Sequence, residues 1–102
     1  MENASASGAQ MMAGPVLRAG EVTDALIEAL QEDNPGKELQ VRDASGYVRV
    51  EGPGGLTLNR KTVEYMLGRS FSMQEIEIHM TGFSGKIEMT ADTIRWFFRG
   101  NR

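Results

Sequence analysis

Residues 21–58, EVTDALIEALQEDNPGKELQVRDASGYVRVEGPGGLTL, contain the change of period that decides the fold. At the start, Val22, Ala25, Leu26, Ala29 and Leu30 recur at i, i+3, i+4, i+7 and i+8. That is one apolar stripe of an amphipathic helix, with Glu28 and Glu32 off it and Ile27 standing apart. Glu21 and Asp24 lie at its positive N-terminal end, where acids are favourable. Pro35 stops the helix, because it biases Asn34 out of the α region. Beyond the turn Asn34-Pro35-Gly36 the period is two: Leu39 and Val41 alternate with Glu38, Gln40 and Arg42. Asp43-Ala44-Ser45-Gly46 is turn chemistry, Tyr47 to Glu51 resumes the alternation, and Gly52-Pro53-Gly54-Gly55 turns again before Leu56-Thr57-Leu58. Three short strands joined by tight turns predict an antiparallel meander following a helix.

Upstream, Pro15 to Arg18 suits a short strand that begins on a proline. Residues 1–13 are small and polar with no period and read as a flexible tail, leaving 14–102 as a single domain. Downstream, Asn59 is placed to cap a helix over Arg60 to Leu67, with Val63, Met66 and Leu67 inward and Gly68 as its stop. Ser72 stands three residues before Glu75, a spacing that allows one more helical turn. Glu75 to Met80 then alternates, with Ile76, Ile78 and Met80 on one face. Thr81 to Gly85 breaks that pattern, Lys86 to Met89 is a strand, and Thr93 to Phe98 is another with Ile94, Trp96 and Phe98 inward. The expected class is α+β: one long helix and one or two short ones packed on about seven short antiparallel strands.

The whole chain is 102 residues, 40% hydrophobic and 25% charged, the size and composition of one globular domain. No uninterrupted hydrophobic run exceeds three residues, so no bilayer-spanning segment is expected. The N-terminus lacks the basic start and apolar stretch of a secretory signal, and a cytoplasmic protein is expected. With no cysteine, disulfides, thiolate metal sites and thiol nucleophiles are excluded. One histidine is too few for two Glu-x-x-His units and leaves a zinc site short of ligands. A net charge of −3 has the wrong sign for a general nucleic-acid binder. The expectation is a non-catalytic protein with no cofactor and no metal.

Candidate sites carry bland alternatives. His79 beside Glu77 reads as a surface histidine on a strand, and a small hydrolase or isomerase built on the pair is the competing idea. Gly52 to Gly55 lacks the Gly-Lys-Ser/Thr of a phosphate loop and reads as a hairpin turn. Arg95-Trp96-Phe97-Phe98-Arg99 interleaves basic and aromatic residues, yet its alternation reads as a core strand. Neither Glu64 nor Asp92 shows a paired-carboxylate motif. Charge divides unevenly along the chain: residues 1–51 carry nine acids and four bases, residues 52–102 five acids and seven bases. Such a dipolar protein can be steered onto a larger partner, and two ordinary solvated faces are the alternative.

Several stretches then occur in one order: Asp33 to Glu38, Gly46 to Val50, Leu67-Gly68-Arg69-Ser70-Phe71 and Phe83-Ser84-Gly85-Lys86-Ile87, with Gly14 to Gly20 ahead of them. Together they resemble the MmoB/DmpM family, the cofactor-free effector proteins of bacterial multicomponent di-iron monooxygenases, and most of all the effectors of four-component toluene and alkene monooxygenases. The resemblance runs from about Gly14 to Phe98. It implies a protein that catalyses nothing alone and binds a di-iron hydroxylase above its metal centre. There it would adjust active-site geometry, oxygen activation, coupling and regiospecificity. A Rieske ferredoxin and a reductase would complete the system, and the free effector would be a monomer. It also implies hydroxylase contacts at Asn34, Pro35 and Gly36, at Arg69, and at Thr81, Gly82, Phe83, Ser84 and Gly85. Phe83 has two readings, a core aromatic or an interface anchor. A generic α+β adaptor without a monooxygenase partner is the other functional reading.

Overall fold

A computed structural model describes residues 11–98. The elements follow as β1 (Met12–Arg18), α1 (Glu21–Asp33), β2 (Gln40–Ala44), β3 (Tyr47–Pro53), β4 (Gly55–Asn59) and α2 (Arg60–Leu67). A 3₁₀ turn (Met73–Glu75) runs into the single-turn α3 (Ile76–His79), and β5 (Met80–Ser84), β6 (Lys86–Met89) and β7 (Thr93–Phe97) complete the domain. The strands form two antiparallel sheets, one of four strands in the order β2-β3-β1-β5 and one of three in the order β4-β7-β6. The α+β class and the long helix are as the sequence predicts.

The meander is not. β2 and β3 do form a hairpin, closed by Ser45 and Gly46, both at positive φ, with Ala44 opposite Tyr47. Leu56 to Leu58, however, leaves that sheet and pairs with β7, while the free side of β3 takes β1. The switch happens at Gly55, whose φ of 122° suits only glycine and where a Cβ would lie 2.0 Å from the Trp96 carbonyl oxygen. β1 also begins earlier than expected, at Met12, which pairs with Pro53. The flexible tail expected over residues 1–13 therefore loses its last two residues to β1, and residues 1–10 lie outside the described residues.

Glu75 to Met80 is the second correction. It is helical up to His79, not a strand, because Met73 and Ile76 are the buried pair and their spacing is three. Ile78, which a strand would have turned inward with Ile76, is 68% exposed. The broken segment expected over Thr81 to Gly85 is instead largely strand, the β5 edge of the four-stranded sheet. The two predicted caps also differ in detail. Asn59 and Ser72 occupy their cap positions without a side-chain bond. The Asp33 carboxylate instead accepts the Asn59 N–H and the Thr62 hydroxyl at 2.8 and 2.7 Å, joining α1 to α2.

One core joins both sheets. Leu17, Val48 and Val50 of the first sheet, Leu26, Ala29 and Leu30 of α1, and Leu56, Leu58, Ile94 and Trp96 of the second belong to a single buried cluster. Ile27, read as standing apart, packs against its rim. Val41, by contrast, is exposed on the edge strand β2. The second sheet packs against one face of the first sheet, and on the other face Gln40, Arg42, Tyr47 and Arg49 are exposed. No helix among the described residues is long and apolar enough to cross a membrane.

Candidate protein-docking site

Strand register sets what the open face displays, since residues directly opposite share a face. Arg42 stands opposite Arg49, and Arg49 opposite Val16, which faces Gly82 of β5. One step along, Gln40 stands opposite Glu51, and the same β1–β3 register brings Glu51 to Gly14, whose other neighbour is Ser84. Gly14 carries no side chain, so Glu51 and Ser84 meet across β1. The Ser84 hydroxyl donates to Glu51 Oε2 at 2.8 Å, and Arg49 Nη1 donates to Ser84 Oγ at 3.0 Å and to Glu51 Oε2 at 3.1 Å. Glu51 is only 7% exposed, and this triad satisfies its carboxylate. Beside it runs a groove of about 570 Å³ whose lining includes Val16, Ala44, Tyr47, Arg49 and Thr81.

Thr81, Gly82, Phe83 and Ser84 thus share the edge strand of the open sheet. Phe83 stands opposite buried Pro15, on the other face of the sheet from Gly82 and Ser84, and at 42% exposure it is not enclosed in the core. Gly85 acts on the backbone. At φ 90° it turns the chain into β6, and a Cβ there would meet the Phe97 carbonyl oxygen at 2.7 Å.

The remaining candidates lie apart from this face. Asn34 turns inward instead of standing at the tip of its turn. It is buried, donates to the Leu30 and Thr57 carbonyls at 2.7 and 2.8 Å, and accepts the Thr57 N–H at 2.9 Å. The helix stop and the start of the second sheet are thereby tied together, and Pro35 and Gly36 are left exposed. Arg69 binds the Glu75 carboxylate at 2.8 Å and the Ser70 carbonyl at 2.8 Å, stapling the loop after α2 while staying half exposed. Among the described residues no hydrogen bond or ion pair joins Arg69 or the 34–36 turn to Thr81–Gly85.

Electrostatics favour the same stapling. The Phe71 N–H, helped by Arg60, holds the Glu64 carboxyl below the usual carboxylate range, and Arg69 does the same for Glu75. Among the described residues nothing resembles a catalytic constellation. No hydrogen bond joins His79 to an acid among the described residues, and no three His, Cys, Asp or Glu there could hold a metal ion. The Gly46 to Val50 stretch contains Tyr47 and Arg49, but they and Arg42 and Glu51 are not among the expected contact residues, although the two-residue hairpin turn alone fixes Arg42 opposite Arg49.

A model of the MmoB/DmpM family matches residues 11–97. The chain belongs to this family. It is 40% identical, over 86% of its length and 87% of the relative's, to the effector subunit of the alkene monooxygenase system of Xanthobacter autotrophicus strain Py2. It is 31% identical, over 66% of its length and 72% of the relative's, to DmpM, the stimulatory component of phenol 2-monooxygenase from Pseudomonas sp. strain CF600. In three dimensions it matches a chain in a phenol hydroxylase–regulatory protein complex with a TM-score of 0.76 at 27% identity, covering 87% of this chain and 100% of that one. A second structure of such a complex gives 0.69 at 28% identity, covering 84% and 100%. These members are named effector, stimulatory or regulatory components, none of them a catalyst.

Proposed function

We propose that this protein is the non-catalytic effector of a multicomponent di-iron monooxygenase acting on an alkene or an aromatic hydrocarbon. The observation that carries the reading is 40% identity, over 86% of the chain, to an alkene monooxygenase effector subunit. The open sheet face supports it, because an effector acts through what it binds. In this reading it docks on the hydroxylase, monomeric when free and in the cytoplasm, in a system completed by a Rieske ferredoxin and a reductase. Binding one hydroxylase conformation better than another then shifts active-site geometry, oxygen activation, coupling and regiospecificity. A tenfold population shift needs only about 1.4 kcal/mol of differential binding. Thr81 to Ser84, exposed Pro35 and Gly36, and half-exposed Arg69 are the contacts in this reading, with Asn34 and Gly85 shaping the backbone that presents them.

The test is steady-state turnover by the hydroxylase encoded beside this protein, with its electron donors, as the effector is titrated in. Saturable stimulation near one effector per active site is the expected result. Turnover and product distribution that ignore the added protein would leave the adaptor reading in its place.

A further inference from the structure

We propose that the open face of the four-stranded sheet docks a carboxylate-bearing segment of the hydroxylase, held by Arg18, Arg42 and Arg49 around Tyr47. This rests on the effector reading above and names the chemistry of the contact.

The arrangement of charge carries the inference. Arg42 and Arg49 stand directly opposite each other on neighbouring strands, a placement that like charges make unfavourable. Arg18 joins the same face opposite Tyr47 and has no ion-pair partner among the described residues. Against these three guanidiniums the face offers the buried Glu51, at 3.1 Å from Arg49 and 3.9 Å from Arg42, and Asp43 at the rim of the groove. A chain of net charge −3 has therefore gathered an excess of cations on this open face, whereas the exposed Arg95 of the three-stranded sheet is paired with Glu88. Glu51 answers part of that charge, shared between Arg42 and Arg49, and leaves Arg18 without a carboxylate among the described residues, so the face keeps a positive excess for a partner to complete.

The apolar part fits the same occupant. Tyr47 is 43% exposed, and Val16 and Ala44 share its groove. At Gly82, opposite Val16, a Cβ would meet nothing within 4 Å, so the sheet surface beside Val16 is bare. Arginine and tyrosine around a shallow apolar hollow are the residues in which protein interfaces concentrate their energy. The groove is continuous with the proposed edge-strand contact through Thr81, which lines it, and Ser84, which is bonded to Arg49. Outside the groove, the exposed residues of α1 include Glu21, Asp24, Glu28 and Glu32, with no ion-pair partner among the described residues. A positive sheet face and a separate negative helix surface orient the molecule towards an acidic target before contact.

The experiment titrates the hydroxylase encoded beside this protein with the wild type, with Arg18→Gln/Arg42→Gln and with Arg18→Glu/Arg42→Glu. Arg49 is left in place because it satisfies buried Glu51. We expect the glutamine pair to weaken binding about tenfold and the glutamate pair about a hundredfold or more. Wild-type affinity should fall between 0.05 and about 0.4 M salt, and that of the glutamate pair should not. The glutamine pair should melt with the wild type, since it relieves the Arg42–Arg49 opposition. Asp24→Asn/Glu28→Gln on α1 should bind within about twofold of wild type. If the wild type binds and stimulates but both arginine variants bind equally well, this surface is wrong and the effector reading stands. If the wild type neither binds nor stimulates, the effector reading falls and takes this inference with it.

Discussion

The two halves of the molecule treat their arginines differently. In the half built from α2, the 3₁₀ turn and the three-stranded sheet, Arg60, Arg69 and Arg95 each hold a carboxylate at 2.8–2.9 Å, from Asp92, Glu75 and Glu88 respectively. On the four-stranded sheet Arg42 and Arg49 share Glu51, and Arg18 has no such partner among the described residues. The first pattern closes charge upon itself and joins loops to elements. The second leaves charge available. Exposed pairs are worth at most about 1 kcal/mol each, so their distribution says more about docking than about stability. The packed half should answer to mutation in its melting temperature, and the open sheet in its affinity for the hydroxylase.

The sharpest contrast comes from Trp96, fully buried in β7 between Leu56 of β4 and Ile87 of β6. Trp96→Ala should cost about 3–5 kcal/mol, enough to consume much of a small domain's stability. Calorimetry or denaturant unfolding reads it directly. Asn34→Ala should come next. It removes three hydrogen bonds and leaves the Thr57 N–H without its acceptor, a loss of about 2–3 kcal/mol. At temperatures where the variant is folded, hydroxylase affinity should stay near wild type. Normal stability with lost affinity would return Asn34 to the interface and blur the division between the halves.

How far the sequence discloses this division follows from the range of the interactions involved. Periodicity and turn chemistry are local, so α1, the β2–β3 hairpin, α2 and its stop at Gly68 are legible from residues close in sequence. The seat of β1 between β3 and β5 is not, because Met12↔Pro53 and Gly14↔Ser84 pair residues far apart in the chain. Charge shows the same limit. Summed along the chain, the N-terminal half is the acidic one, yet Arg18, Arg42 and Arg49 all belong to that half and supply the cations of the open sheet. The two glycines of Thr81 to Gly85 mark that segment as a break in the period, but its strand character follows from β1, which no short window contains.

Phe83→Ala tests the open half. At 42% exposure on an edge strand, opposite buried Pro15, its ring is only partly covered, so melting should move far less than for Trp96→Ala. As an aromatic anchor against the hydroxylase it should contribute about 2 kcal/mol, a weakening of roughly thirtyfold in titration calorimetry, with an altered product distribution. A large drop in melting temperature with unchanged affinity would place Phe83 with Trp96.

The smallest expected effect is the pH dependence of the packed half. Glu64 and Glu75 titrate below their usual range in the folded protein, the first through the Phe71 N–H and Arg60, the second through Arg69. In the window between the folded and unfolded values the unfolded chain binds more protons, so stability rises with pH there. The contribution is present above the ordinary carboxylate pKa of 4.5 and is lost as pH falls through the depressed folded values. Arg60 and Arg69 are shifted upward by the same pairs and stay charged throughout, so the acid limb belongs to the carboxylates. Glu64→Gln/Glu75→Gln should therefore melt slightly below the wild type at pH 7, and the two melting curves should converge towards pH 3. Hydroxylase affinity at pH 7 should differ little, because the amide oxygen that replaces the Glu64 carboxylate can still accept the Phe71 N–H and the open sheet is untouched. Parallel melting curves from pH 7 to 3 would mean that these two pairs do not carry the acid sensitivity. A loss of affinity in the double variant would mean that the stapled loop around Arg69 belongs to the docking surface as well.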